Sequence, residues 1–188
     1  KQILGEAYLV RYADDFVCLF QYKEQAEKFN RLLKERLIKF GLELAEDKSK
    51  VIPFDKCNQG KETFDFLGFT HKNGKTMKGK YTLTHLTNMK KLKQKKQNAK
   101  KWLKDYMHMN LKETIQALNL KLKGHYLYYG IFVNFCRVKS FYNYIIEQLY
   151  KSKQRRSQNK HLTWDKFNAY ITQFPVYKPK LYISLCPI

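Results

Sequence analysis

The chain has 188 residues, 44% of them hydrophobic and 15% aromatic, which is enough apolar side chain for one packed domain or two small ones and argues against general disorder. Its formal charge of +21 is unevenly spread, with 16 Lys+Arg against 12 Asp+Glu in residues 1–80 and 21 against four in residues 81–188. So one-sided a surface asks for a polyanion, and no apolar run approaches the ~20 residues that span a bilayer, so a membrane-crossing helix is excluded.

The first expected elements are two short strands, around Ala7-Tyr8-Leu9-Val10 and Phe16-Val17-Cys18-Leu19-Phe20. Both are β-branched or aromatic in character and read as buried strands joined by a tight turn, with Asp14 and Asp15 at its tip. From Lys23 to Phe40 the apolar residues Ala26, Phe29, Leu33, Leu37 and Phe40 fall on one helical stripe. Glu24–Lys28, Glu27–Arg31 and Glu35–Lys39 stand at i,i+4 on the wet face, and Gly41 is placed to end the helix. Lys50 to Phe54 reads as a strand that Pro53 confines to an edge, and Phe64 to Thr70 as another. Asn73-Gly74 is a turn signal leading into a return strand. Local hairpins with one helix indicate an α+β layer.

From about Thr84 the composition turns basic and the periodicity helical. Met89, Leu92, Ala99, Leu103 and Tyr106 share a face, while the lysines between Lys90 and Lys104 hold the others. Asn110 with Glu113 resembles a capping box for a helix that turns Leu111, Ile115, Leu118 and Leu122 inward. Val138, Phe141, Ile145 and Leu149 make a third helix, Lys151 to Lys160 a basic loop or frayed end, and Thr163 the cap of a last short helix. The proline-bearing tail from Phe174 is expected to be extended. The domain boundary falls near residues 81–86, giving domains 1–83 and 84–188.

The chemistry concentrates at Tyr12-Ala13-Asp14-Asp15. Two adjacent carboxylates repel, and a fold tolerates that cost when a cation neutralises them. Oxygen-only ligands on a rigid turn suit Mg²⁺, whose other ligands are waters and phosphates. A bare Asp-Asp pair also makes an ordinary polar turn. Cys18, Cys57, Cys136 and Cys186 are scattered and the five histidines lack ligand spacing, so neither a zinc site nor a disulfide framework is expected, and the expected compartment is reducing, intracellular and cytoplasmic. The opening residue is Lys1 and not methionine, and the chain reads as a piece of something longer.

Tyr12-Ala13-Asp14-Asp15 in its hairpin resembles the catalytic loop of reverse transcriptases. Gly41 to Val51 is similar to the palm segment that follows, with Lys48 before a return strand. Phe64-Asp65-Phe66-Leu67-Gly68-Phe69 resembles the primer-grip element at the base of the thumb. Gly124-His125-Tyr126-Leu127-Tyr128-Tyr129-Gly130, and Arg155-Arg156-Ser157-Gln158 followed by Thr163-Trp164-Asp165-Lys166-Phe167, resemble the thumb or maturase X region of group II intron-encoded reverse transcriptases. The likeness runs over almost the whole chain in the family's order.

The resemblance implies a palm fragment followed by an all-helical thumb, and RNA-directed DNA synthesis by two-metal nucleotidyl transfer. Asp14 and Asp15 would hold Mg²⁺ with a third carboxylate from an upstream strand, which residues after the hairpin such as Asp47, Asp55 and Asp65 do not match. The chain alone, lacking the fingers as well, is expected not to polymerise. Tyr12 and Ala13 would lie near primer or nucleotide, although Tyr12 reads equally as a core aromatic. Lys48 would donate a proton to the departing pyrophosphate, although by its neighbours it reads as a solvated lysine. Phe66, Leu67 and Gly68 would approach the primer, with the Phe66 and Phe69 rings more naturally packed.

For nucleic-acid binding the expected residues are Lys90, Lys91, Lys95, Lys96, Lys100, Lys101, Lys121, Lys123, Arg155 and Arg156. A charge run is ordinarily a solvated face, but here acids nearly vanish after residue 105. Expected partners are template or intron RNA, a DNA primer, deoxynucleotides and the remaining fingers and palm, with no membrane. Two alternatives stay open: a non-catalytic RNA-binding maturase module, and a reverse transcriptase of another lineage, retron-like or defence-associated.

Overall fold

The computed structural model describes residues 5–55, 62–76, 78–155 and 162–183. In chain order these form β1 (Ala7–Tyr12), β2 (Asp15–Phe20), α1 (Lys23–Lys39), β3 (Thr63–Phe66), β4 (Phe69–Lys75), β5 (Tyr81–Thr87), α2 (Met89–Asp105), α3 (Leu111–Tyr129), a 3-10 turn at Phe132–Asn134, α4 (Phe135–Gln154) and α5 (Trp164–Gln173). The architecture is mixed α+β: β1 and β2 make one two-stranded sheet, and β3, β4 and β5 another in that order. Two compact units result, Lys1–Leu67 with His71–Leu83, and Gly68–Thr70 with Thr84–Ile188.

In the first unit the helix forms as its pattern predicts and ends on Gly41 at φ +68°, with Leu42 N–H reaching the Leu37 carbonyl at 3.0 Å and Gly41 N–H that of Ile38 at 3.0 Å. That pairing satisfies carbonyls at the helix end, and the left-handed turn it needs suits glycine. None of the three expected i,i+4 pairs closes among the described residues; Glu27 pairs with Lys23 instead, at 3.5 Å.

Three expectations fail here. The strands are not buried: Tyr8, Leu9 and Tyr12 are 59%, 65% and 67% exposed. A two-stranded ribbon buries little by itself, and α1 bears on β2, where Phe20 meets Phe29 at 5.2 Å. Lys50–Phe54 joins no ladder, consistent with a proline that cannot donate to one; Phe54 packs edge-on to Phe64 at 5.0 Å instead. Asn73-Gly74 is not a turn. Asn73 is buried inside β4, giving its amide to the Asp55 carbonyl at 3.0 Å and accepting from the Tyr81 hydroxyl at 2.7 Å. Those bonds outcompete the turn preference because a buried amide must be satisfied. The reversal comes at Leu67-Gly68, both at positive φ (+49° and +78°), the pattern of a type I′ hairpin loop.

The second unit holds the core. Tyr126 and Phe167 are wholly buried and Leu103, Ile115, Leu122 and Ile145 nearly so, in one cluster drawn from α2, α3, α4, α5 and Val176 of the tail. Fully burying each such side chain is worth about 1.5–3 kcal/mol. Thr84–Thr87 is not helical as expected: it completes β5, and α2 begins only after Asn88, whose side chain caps the Lys91 N–H at 3.1 Å. Asn110 caps α3 through the Lys112 N–H at 3.1 Å and Thr163 caps α5 through the Lys166 N–H at 3.4 Å, each satisfying an otherwise orphaned donor. Lys151–Gln154, expected as part of a basic loop or frayed end, is the last turn of α4; residues 156–161 lie outside the described residues.

Beneath the helices, Asn134 is fully buried. It accepts from Thr87 N–H at 2.7 Å and donates to the Thr87 hydroxyl at 2.7 Å and the Tyr129 carbonyl at 2.9 Å, while Arg137 donates to the Thr87 carbonyl. The tail is extended as predicted, and Tyr182 N–H bonds the Gly130 carbonyl at 2.9 Å. A Cβ on Gly130 would stand 2.7 Å from the Lys180 carbonyl of the tail and 2.3 Å from that of Tyr126, so the tail's seat requires glycine.

Candidate active site and basic surface

The antiparallel register of β1 and β2 sets Tyr12 opposite Asp15 and Val10 opposite Val17, which leaves a two-residue loop of Ala13 and Asp14. Ala13 takes φ +51°, and Asp14 does not share that sign, the pattern of a type II′ loop that ordinarily carries glycine first. A residue with a Cβ held there is a mark of local strain, and such strain gathers at functional sites. The loop is pinned by Arg11, whose Nε donates to the Ala13 carbonyl at 2.8 Å. Sequence reading missed Arg11, because nothing in the pattern shows that a strand residue will fold back over its own turn.

Asp15 opens β2 and shares a face with Tyr12, Val10 and Tyr8 by strand alternation, while Asp14 sits in the loop. Both carboxylates are exposed, and among the described residues neither has an ion-pair partner. Two adjacent oxygen donors without a compensating cation fit a hard divalent ion. No third carboxylate joins them: among the described residues no group of three His, Cys, Asp or Glu side chains is placed to hold a metal. The Tyr12 ring and Ala13 stand in solvent beside the pair.

Lys48 is exposed in a turn where its N–H bonds the Ala45 carbonyl at 3.0 Å, and no described contact joins it to the carboxylates. Nearby, Lys34 pairs with Glu46 at 2.6 Å and holds that carboxyl below its ordinary range, chiefly by hydrogen bonding. Phe66 is half-buried with its ring 6.5 Å from His71, and Phe64 stacks on His71 at 4.7 Å. Gly68 permits a close approach, but the group that makes it is the Tyr129 hydroxyl, 2.8 Å from where a Cβ would stand. Phe69 packs on Tyr128 and Tyr129 at 5.7 and 5.1 Å.

The ten cations of the second half divide into kinds that sequence does not distinguish. Lys95 is half-buried with its ammonium 4.9 Å from the Tyr129 ring centre, and burial, then the charge of Lys91, lowers its pKa. Lys96 lies over Tyr144 at 5.3 Å and donates to Ser140 at 3.2 Å, and Lys121 lies over Trp102 at 5.2 Å. Such contacts hold a lysine stem against the protein. Lys90, Lys91, Lys100, Lys101, Lys123 and Arg155 are exposed, and Arg156 lies outside the described residues. The tyrosine-rich end of α3 is mostly structural, with Tyr126 and Tyr129 buried and Tyr128 exposed.

His125 is buried among Phe141 at 4.2 Å and Tyr129 at 4.9 Å. Burial, aided by the charge of Lys95, depresses its pKa to about 4, so the ring is neutral at pH 7. Burial likewise raises the Tyr126 phenol, whose hydroxyl has no hydrogen-bond partner among the described residues. Burial also raises the Cys18 thiol; Cys18 and Cys136 are free, and Cys57 and Cys186 lie outside the described residues. Among the described residues no helix is long and apolar enough to cross a membrane.

No curated protein matches the chain. A family model does: that of reverse transcriptase (RNA-dependent DNA polymerase) matches residues 1–71, the stretch containing both strands of the hairpin, Asp14, Asp15, α1 and the Leu67-Gly68 loop.

Proposed function

We propose that this chain is part of an RNA-directed DNA polymerase of the group II intron type, in which the first unit belongs to the palm and the second to a helical thumb. The observation that carries the reading is the exposed, uncompensated Asp14–Asp15 pair on a pinned hairpin loop, inside the segment that matches reverse transcriptases. Asp14 and Asp15 would hold Mg²⁺ with a further carboxylate from the rest of the protein. When bound, the metal supplies activation of the attacking hydroxyl and neutralisation of charge on the departing phosphates. The residues here do the remainder: Arg11 fixes the loop, and Tyr12 with Ala13 offers a surface beside the reacting groups for primer or nucleotide. In the second unit, exposed lysines carry template or intron RNA through phosphate contacts, which serves both copying and assistance to splicing.

Primer extension on an RNA template, run beside RNA-binding titrations, tests the reading in the full-length protein. Asp14→Asn or Asp15→Asn should cut incorporation by more than about 100-fold, the loss of several kcal/mol of transition-state stabilisation. RNA affinity should change less than about twofold, because the basic charge lies elsewhere in the sequence. Robust extension by the Asp14 variant would remove the catalytic assignment. Wild-type protein that binds RNA but never extends a primer would favour the alternative of a non-catalytic RNA-binding module, which the separately packed, basic second unit already makes reasonable.

A further inference from the structure

The exposed cations of the second unit are not spread evenly over its helices. Along one flank of α2, Lys100, Lys101 and Lys104 line a cleft of about 260 Å³ whose other wall is α4, with Lys151 and Arg155. Gln97 and Gln148 contribute neutral amides, and Met107 is the one apolar side chain in the lining. Among the described residues no carboxylate lines the cleft, and Glu147 pairs with Lys151 along α4. Four of these five cations, all but Lys151, have no ion-pair partner among the described residues, and such a cluster attracts an anion.

The walls are built to hold their position. Lys153, next to Ser152 of the lining on α4, is itself buried. Its ammonium donates to the carbonyls of Tyr106 at 3.1 Å and Met109 at 2.8 Å and to the Thr114 hydroxyl at 2.8 Å. These bonds tie α4 to the turn between α2 and α3, the segment that carries Met107 into the cleft. A buried charge so fully bonded fixes geometry, since losing any partner leaves an expensive orphan.

We infer that this cleft seats the sugar–phosphate backbone of a single nucleic-acid strand. The inference rests on the reading that the second unit binds nucleic acid, and goes beyond it in naming the surface and the part of the ligand it takes. Along each wall the cationic residues recur at helical i,i+3 and i,i+4 steps, with Cβ atoms about 5–6 Å apart, comparable to the step between successive phosphates of one strand. Among the described residues no aromatic ring lines the cleft, so these side chains hold a backbone without stacking on its bases. Lys104 and Lys151 thereby join the binding residues, whereas Lys95, Lys96 and Lys121, committed to rings, do not belong to this seat.

The test compares two triple variants of the full chain that remove equal charge. Lys100, Lys101 and Lys104→Gln strip one wall; Lys139, Lys166 and Lys178→Gln, all exposed and outside the cleft, serve as the control. Binding of a labelled mixed-sequence single-stranded RNA 12-mer is titrated over a salt series. With each single-strand phosphate contact worth about 0.7 in the slope of log affinity against log salt, the cleft variant should lose roughly two units of slope and at least tenfold in affinity. The control should lose less than twofold, and a second RNA of unrelated sequence should behave alike. Should the cleft triple fail to fold by circular dichroism, Lys151→Gln with Arg155→Gln strips the opposite wall and should act in the same direction. Equal losses in cleft and control variants would overturn the cleft while leaving RNA binding intact; no binding by the unaltered chain would remove both.

Discussion

In the first unit the side chains of β1 stand in solvent and α1 buries none of its residues, whereas in the second α2, α3, α4 and α5 each place side chains in one continuous apolar cluster. The acids and bases divide along the same line, with near-balance before residue 80 and a large basic surplus after it. The first unit thus carries the paired carboxylates on a ribbon with little core of its own, and the second carries the cations on a scaffold that packs for itself. Charge recognition needs only a firm helix surface. Holding two like charges side by side needs a pinned backbone, which Arg11 and the left-handed Ala13 supply locally without a core beneath.

The contrast breaks most visibly under core truncation. Phe167→Ala should cost about 3–5 kcal/mol, because the ring is fully enclosed and its space cannot collapse. Leu9→Ala in β1, where most of the side chain is already solvated, should cost less than about 0.5 kcal/mol. Urea unfolding of both variants measures the difference, and equal losses would mean that the hairpin is supported far better than its exposure indicates.

Acid should weaken the second unit in a defined window. His125 is held neutral with a folded pKa near 4 against an ordinary 6.5, so the unfolded chain binds the extra proton first. The corresponding stability is fully present above about pH 6.5 and is lost as pH falls towards 4, on the order of 2–3 kcal/mol in all. Thermal melts across that range would show it, and His125→Phe should flatten this part of the profile. A profile unchanged by the substitution would assign the acid sensitivity to other groups.

A smaller effect is expected at the helix starts. Asn110→Ala removes the acceptor of the Lys112 N–H and should cost about 1 kcal/mol, while Asn110→Ser should restore most of it. Smallest is Tyr126→Phe. The phenol is buried with a hydroxyl unpartnered among the described residues, so deleting that oxygen should leave stability within about 1 kcal/mol of wild type, on the stabilising side. A marked loss would reveal a hydrogen bond to that hydroxyl in solution.

Periodicity is a local property, and what rests on it was legible in the chain: α1 with its glycine stop, the inward rows of α3 and α4, the Thr163 cap and the hairpin about Asp14. The errors lie where the deciding partner is distant in sequence. Asn73-Gly74 has turn chemistry, but Asp55 and Tyr81 claim its amide and hold it inside a strand. Thr84–Thr87 adjoins the basic, helical composition that follows, although its alternation with Tyr81 and Leu83 has the two-residue period of a strand. The open Cα of Gly68 was legible as a close approach; that Tyr129 makes it was not.

For the candidate site, residue types alone marked Asp14 and Asp15 and located the basic half of the chain. Tertiary structure alone decided that Arg11 pins the loop, that Lys95, Lys96 and Lys121 lie over rings, and that Lys104 and Lys151 stand across a cleft from one another. The physical reason is that composition fixes how much charge a chain carries and periodicity fixes which face of a helix it occupies. Which charges meet solvent, a ring or one another depends on how helices far apart in sequence come to pack, and no local signal encodes that.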